Sequence, residues 1–328
     1  FQAIRAKEKA RFEASAQEAA EAARAEAKAG GKRHAAGVPT TFEAVLQTCK
    51  DNDGYELPER NEKLNLHFKG GQFELMENNA APLAETEQEQ LIELILAGDP
   101  MAVADAITNL LKQGKAPQNI ADVVNIAHAR HSVSRLRSPI AYTVPMHSFD
   151  YANVVNYWLR NFRNPHQVKA IYLSAWFVTD IIREIDAYPD LPGVTRPDPD
   201  GRAGWAEGFA TGELLDQLEL AVADQDPSRA VALVRAWNGR HDPRTEGARD
   251  GLIRMLAHCA GKYQGDAHIF RNACSVIEEY QLNTVDIARK DILFEFWAHF
   301  LSFYKKRTLD TDCYDMYHRY FGQAAAAE

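Results

Sequence analysis

The sequence lacks several features that would point directly to a class of protein. No run approaches the roughly 18 uninterrupted apolar residues that cross a membrane. Basic residues do not predominate, because 37 Lys and Arg stand against 46 Asp and Glu, a formal charge of −9. A nucleic-acid-binding surface normally carries a basic field, so the balance argues against that class. Phosphate-binding glycine patterns and a Gly-x-Ser-x-Gly nucleophile elbow are also absent.

Cysteine is scarce as well. The four cysteines stand alone, without a Cys-x-x-Cys pair or a zinc-type spacing. We interpret them as reduced core thiols of a cytoplasmic protein: Cys49, Cys259, Cys274 and Cys313.

Helical periodicity dominates what is present. From Thr86 onward, apolar residues recur at helical intervals and period-two alternation is missing, so the sequence predicts an all-α, multi-helix body. One of its helices is expected over 148–162 and another over 268–280. The carboxylates of Glu278 and Glu279 are predicted to lie on a solvated helix face.

The first 85 residues differ from the rest of the chain in composition and hydrophobic pattern. Residues 1–28 are mostly Ala, Glu, Lys and Arg, which favours a helix with little apolar surface to bury. Residues 40–82 are irregular, with scattered apolar anchors and many turn residues. We therefore expect an N-terminal helix and extended docking arm over 1–85 that wraps another protein subunit, followed by an all-α domain over 86–328.

Two segments of this domain resemble each other in sequence. Two half-repeats, about 98–190 and 225–320, flank a Pro/Gly-rich linker at 187–212. At a constant offset of 121 residues, His147 corresponds to His268, Lys169 to Lys290, and Trp176 to Trp297. A gapless offset over this stretch predicts an ancestral duplication.

If the halves pack about a pseudo-twofold axis, their histidines could converge. Each half has a His inside an apolar helix, His128 or His258, and a His expected at a helix start, His147 or His268. Four imidazole nitrogens suit iron, zinc, copper or nickel. A lysine on an apolar face has a lowered pKa, and its neutral amine can form a carbamate with carbon dioxide. Capping histidines and solvent-directed lysines are the competing interpretations of these residues.

The motifs around two of these histidines resemble those of known proteins. Residues 145–153, Pro-Met-His-Ser-Phe-Asp-Tyr-Ala-Asn, and residues 267–273, Ala-His-Ile-Phe-Arg-Asn-Ala, look like the helical region that follows Rieske domains in bacterial hybrid proteins. The duplicated, His-rich body over about 88–321 also resembles the questin oxidase-like family. That resemblance implies a non-haem iron oxygenase with a His-rich centre and a carboxylated lysine. The implied metal ligands are His128, His147, His258, His268 and Lys290, with His131, Lys169 and His299 as alternatives.

Two functions follow as hypotheses. The first is a non-haem iron oxygenase acting on an aromatic or polycyclic substrate. No cysteine here forms a Rieske-type Cys-x-His pair, so an external electron donor is expected. The second is a non-catalytic helical accessory subunit that docks through its N-terminal arm into a larger complex.

Overall fold

The computed structural model describes residues 78–135, 143–162, 167–187, 197–263 and 267–303. Within these residues the secondary structure is helical, apart from one isolated parallel bridge between Ala81 and Lys115. The all-α prediction is therefore confirmed. Most of the predicted arm, residues 1–77, and the predicted end of the second half-repeat lie outside the described residues.

The described residues form eleven α-helices. They are α1 (Glu85–Leu96), α2 (Pro100–Lys112), α3 (Pro117–Arg135), α4 (Thr143–Asn161), α5 (Gln167–Ala187), α6 (Ala203–Glu207), α7 (Leu214–Ala223), α8 (Pro227–Arg240), α9 (Asp250–Tyr263), α10 (Ala267–Leu282) and α11 (Asp291–Phe303). None of these helices is both long and apolar enough to cross a membrane.

Helices α2 and α8 both begin at an Asp-Pro pair. The Asp99 carboxylate accepts hydrogen bonds from the backbone N–H groups of Met101 and Ala102, and Asp226 accepts one from Arg229 at 3.0 Å. Proline suits the first helical position because its fixed φ is already helical and no N–H is needed there. Each pair thus caps and starts a helix from local sequence alone.

Helix α4 begins earlier than the sequence predicts. Its first residue is Thr143, so the prediction of a start near residue 148 is wrong. Pro145 looks like a helix breaker in the sequence, but proline is tolerated in the first turn. As a result, His147 lies inside α4, whereas His268 is the second residue of α10.

The same pattern of helix contacts occurs in α1–α5 and in α7–α11. In each set the first helix contacts the second, third and fifth, the second contacts the fifth, and the third, fourth and fifth contact one another. A duplicated five-helix unit would produce this pattern, and it would extend each half beyond the predicted starts at 98 and 225. The duplication itself stays a prediction.

Helices α4 and α10 run parallel where the two sets meet. His147, near the start of α4, lies beside His268, near the start of α10. Arg160, at the end of α4, lies beside Glu279, near the end of α10. The starts of α4 and α10 therefore lie side by side, and so do their ends. The two helices are parallel, and these contacts fix their register.

The core is densest around α11. Its side chains from Leu293 to Phe303 are almost all buried, and Trp297 is fully so. A helix that is apolar all round is stable only when other helices surround it.

Removing the side chain of Asp226 tests whether it stabilises the start of α8. Replacing Asp226 by Ala should lower the free energy of unfolding by about 1 kcal/mol, because the N–H of Arg229 loses its acceptor. Urea unfolding followed by circular dichroism measures the change. Glu246→Ala, at an exposed loop position, is the control. Equal stability losses in both variants would contradict the capping role.

Candidate functional site

The parallel α4–α10 pair brings His147 and His268 together. Their ring centroids are 5.3 Å apart and their planes are inclined by 72°. The His147 side chain is exposed and that of His268 is half-buried, so the pair opens to solvent. Two of the four histidines predicted to converge therefore do so.

Asp150 lies one turn beyond His147. Its Oδ1 accepts a hydrogen bond from the Ser275 hydroxyl at 2.7 Å. Burial raises the pKa of Asp150, although the Ser275 hydrogen bond and the charges of Arg271, His147 and His268 oppose that change. The carboxylate is thus held against α10 rather than directed outward.

The His pair has the spacing that a shared metal ion requires. Imidazole nitrogens about 2.1 Å from one tetrahedral ion would place the two ring centroids about 5 Å apart. However, nowhere in the described parts of the chain do three or more His, Cys, Asp or Glu side chains form a group that could hold a metal ion. The pair can supply two ligands, and the remaining positions would need solvent or substrate.

His128 and His131 point into the helical interior. The Nε2 atom of His128 shares a 2.7 Å hydrogen bond with the Ser148 hydroxyl, and its ring packs between Phe149 and Phe296. His131 is 1% exposed, and its Nε2 lies 2.9 Å from Asp186 Oδ1. Both side chains therefore have structural partners within the domain.

The remaining predicted ligands also lie apart from the His pair. His258 is a surface residue whose Nε2 is 3.4 Å from Glu219, and Lys169 is exposed. His299 is fully buried next to Phe303, and this burial lowers its pKa to about 3. Hence the predicted five-ligand set does not assemble in the described residues, because its members sit on different helix faces.

Lys290 belongs to a different centre. Its ammonium donates to the Tyr280 carbonyl oxygen at 3.1 Å, and burial lowers its pKa, as expected for a lysine in an apolar setting. The charges that act on Lys290 are those of Asp122, Arg160, Glu279 and Asp286, not the histidines. Glu279 lies eleven residues after His268, about 16 Å along α10.

We call Asp122, Arg160, Glu279 and Lys290 the buried charge cluster. Neither the Asp122 nor the Glu279 carboxylate is accessible to solvent, and Arg160 bridges them, with 3.0 Å to Asp122 and 3.2 Å to Glu279. Further hydrogen bonds satisfy the remaining carboxylate oxygens. Their donors are Asn153, Asn156 and Asn283 on Glu279, and Gln118 and Thr284 on Asp122.

The sequence reasoning missed this cluster. Glu279 was predicted to be solvated, yet it is fully buried. A helical spacing could have revealed it, since Ile269, Asn272, Val276 and Glu279 share one buried stripe of α10. The negative charge of Glu279 is stable there because Arg160 is supplied by another helix, and a local pattern does not contain that information.

A second missed feature is the exposed side of α4. Between residues 146 and 162 the exposed large apolar side chains recur at helical spacing; we call them the aromatic face of α4: Tyr151, Val154, Tyr157, Trp158 and Phe162. Trp158 is 53% exposed. The largest exposed apolar patch of a monomeric protein is often functional, so this face is a candidate binding surface.

Comparison of the chain with protein-family models, with curated proteins and with solved structures found no match. The fold of the described residues defines the class of this protein, which is all-α. The resemblance to the questin oxidase-like family stays a prediction.

The free energy of unfolding should depend on pH because of the buried charge cluster. Burial and the charge of Glu279 raise the pKa of Asp122 to about 6, against Arg160 and the Thr284 hydrogen bonds. A raised carboxyl pKa contributes stability below the unfolded-state pKa, near 4, and that contribution is lost as pH rises through about 6. The Asp122→Asn variant should not show this loss of stability, because asparagine does not ionise.

The measurement is the free energy of urea unfolding of both proteins at several pH values from 4 to 7. Between pH 4 and pH 7 the stability of Asp122→Asn relative to wild type should rise by about 2 kcal/mol, in addition to any constant difference caused by its weaker bond to Arg160. Glu246→Gln, in an exposed loop, serves as the control. A constant difference at all pH values would show that Asp122 does not titrate there.

Proposed function

We propose that this protein is a non-catalytic helical subunit that docks onto another protein through the aromatic face of α4. The observation that carries the proposal is the exposure of Tyr151, Val154, Tyr157 and Trp158 along one side of α4, continued by Phe162 immediately after the helix. Tyrosine, tryptophan and phenylalanine are enriched where proteins bind one another.

The composition of this face favours a protein partner. Between residues 146 and 162 every exposed side chain is aromatic, aliphatic, His or Asn, and none is Asp, Glu, Lys or Arg. Depletion of charge is the compositional mark of an interface core. A face without a charge offers little to a charged small ligand or to nucleic acid.

Helix α10 extends the same surface. Phe270 is 47% exposed and Leu282 is 51% exposed. The core sides of the two parallel helices carry buried residues such as Phe149 on α4 and Val276 on α10. The exposed side of α10 also carries Arg271, so only the α4 part of this outer surface lacks exposed charge.

The distribution of charge supports docking over catalysis. Asp122 and Glu279 are paired with Arg160 inside the domain, and Lys290 supplies the second positive charge nearby. His131 is likewise bonded to Asp186. Docking through residues 1–85, which was expected from the sequence, lies almost wholly outside the described residues and remains a separate hypothesis.

Site-specific photo-crosslinking tests the docking proposal. A photoreactive amino acid at Tyr157 should form an intermolecular adduct in the native host, because this side chain lies in the middle of the face. Leu220, 51% exposed on α7, is the matched control position and should give none. Absence of an intermolecular adduct at position 157, or equal adducts at both positions, would refute docking through α4.

The His147–His268 pair favours a second candidate function. We propose as the alternative a metal-dependent oxygenase in which these two imidazoles hold iron and an external donor supplies electrons. The metal would act as Lewis acid and electron conduit toward an aromatic or polycyclic substrate. The support is the 5.3 Å ring separation, which suits two ligands of one ion.

Elemental analysis of the purified chain tests this alternative. Near-stoichiometric iron, or another transition metal, is the expected result. The double variant His147→Ala, His268→Ala should lose that metal with its helicity intact, whereas His258→Ala should retain it. A wild-type protein without metal, or a double variant that keeps it, would refute a site at this pair.

A further inference from the structure

A cleft lies between the two sets of helices, with α1 and α3 on one side and α8 and α11 on the other. Its volume is about 330 Å³, which falls within the range of small-molecule sites. Three guanidinium groups line it, so we call it the arginine cleft: Arg130, Arg235 and Arg289. Its floor includes apolar side chains: Ile92, Ile126, Val133 and Ile292. An apolar floor with a few convergent polar groups is the usual composition of a ligand pocket.

The side chain of Glu89 shows where a carboxylate fits in this cleft. Glu89 Oε1 lies 2.6 Å from Arg130 Nη1, and Glu89 Oε2 lies 2.9 Å from Arg289 Nη1. Guanidinium groups match the geometry of carboxylates, and their charge makes these hydrogen bonds strong. Two arginines that hold a side-chain carboxylate in this way can also hold the carboxylate of a ligand.

We propose that the arginine cleft binds a small organic acid, whose carboxylate replaces that of Glu89 between Arg130 and Arg289 and whose apolar body lies on the cleft floor. This inference is independent of docking through α4, because none of the described residues of α4 lines the cleft.

Replacing Glu89 by a ligand carboxylate costs little. The side chains of Glu89 and Arg130 are each 42% exposed, and that of Arg289 is 27% exposed. Ion pairs at such positions contribute little to stability, because water solvates both groups well when they separate. Arg130 also pairs with Glu93 at 3.1 Å, whereas Arg289 has no second carboxylate partner among the described residues. Arg289 is therefore the group that gains most from a ligand carboxylate.

The other end of the cleft determines which way the ligand points. There Arg235 is bonded to Glu295, with 2.8 Å between Nε and Oε2, and it also pairs with Asp200. Beyond Arg235 the cleft continues into a second cavity of about 410 Å³, lined by Asp198 and Asp200. A ligand carboxylate would be repelled by these two side chains. We therefore expect the acid group at Arg289 and the apolar body toward the second cavity.

Ligand-observed NMR titration of the full chain with hexanoate, octanoate and phenylacetate tests the proposal. At least one of these acids should bind, and hexanoate should bind more tightly than hexylammonium or hexanol, which share its apolar body but lack the carboxylate. The inference is overturned if none of the acids binds at concentrations up to about 10 mM. It is equally overturned if hexylammonium binds as well as hexanoate.

Two substitutions should change the affinity for the bound acid in opposite directions. Arg289→Gln should raise the dissociation constant about tenfold or more, because a charge-assisted hydrogen bond is lost. Glu89→Gln should lower it about threefold, because the competing carboxylate is replaced by an amide of the same shape. Arg254→Gln, at an exposed position of α9, is the matched control and should leave the constant unchanged.

The Glu89 variant distinguishes a binding site from a structural ion pair. If Glu89 only supports the fold, Glu89→Gln should weaken binding or leave it unchanged, and that result would overturn the site. An unchanged dissociation constant in Arg289→Gln would overturn it as well. Circular dichroism and unfolding midpoints verify that each variant is folded. If Arg289→Gln is not, Arg289→Lys takes its place and should also raise the constant, because lysine keeps the charge without the planar fork.

Discussion

The contact of Arg160 with Asp122 and Glu279 is the interaction on which the arrangement of α3, α4 and α10 depends. Two carboxylates without solvent access would be very costly if they were unpaired. They are stable because one guanidinium bridges them and amide and hydroxyl donors satisfy their other oxygens. Sliding α4 along α10 by one turn would break these bonds together, so the cluster sets the register of the parallel pair.

That register determines which chemistry the domain can present. With the ends of α4 and α10 joined at Glu279, their beginnings place His147 beside His268. The same rotation of α4 that points Asn153 and Asn156 toward Glu279 turns Tyr157 and Trp158 outward. The charges of Asp122, Arg160 and Glu279 are therefore paired inside the domain, and the side of α4 that faces outward is aromatic.

Local signals predicted the helices well and the site poorly. The Asp-Pro pairs at the starts of α2 and α8 are local signals, because capping is decided within a few residues. The start of α4 was misjudged at Pro145, whose breaker signal is overridden in a first turn. The structure brings together His147 and His268, which the offset of 121 residues relates. The offset could not show that His128 and His258 face other directions, because the face that a residue occupies depends on how its helix is rotated against its neighbours.

The sequence by itself determined that this protein is all-α, and the local Asp-Pro pairs start two of its helices. Those properties follow from periodicity and capping, both of which are local. Only the tertiary structure decided that Glu279 is buried beside Arg160, that Lys290 is separated from the histidines, and that α4 exposes its aromatic side chains. The reason is that burial and pairing depend on residues more than a hundred positions apart meeting across packed helices.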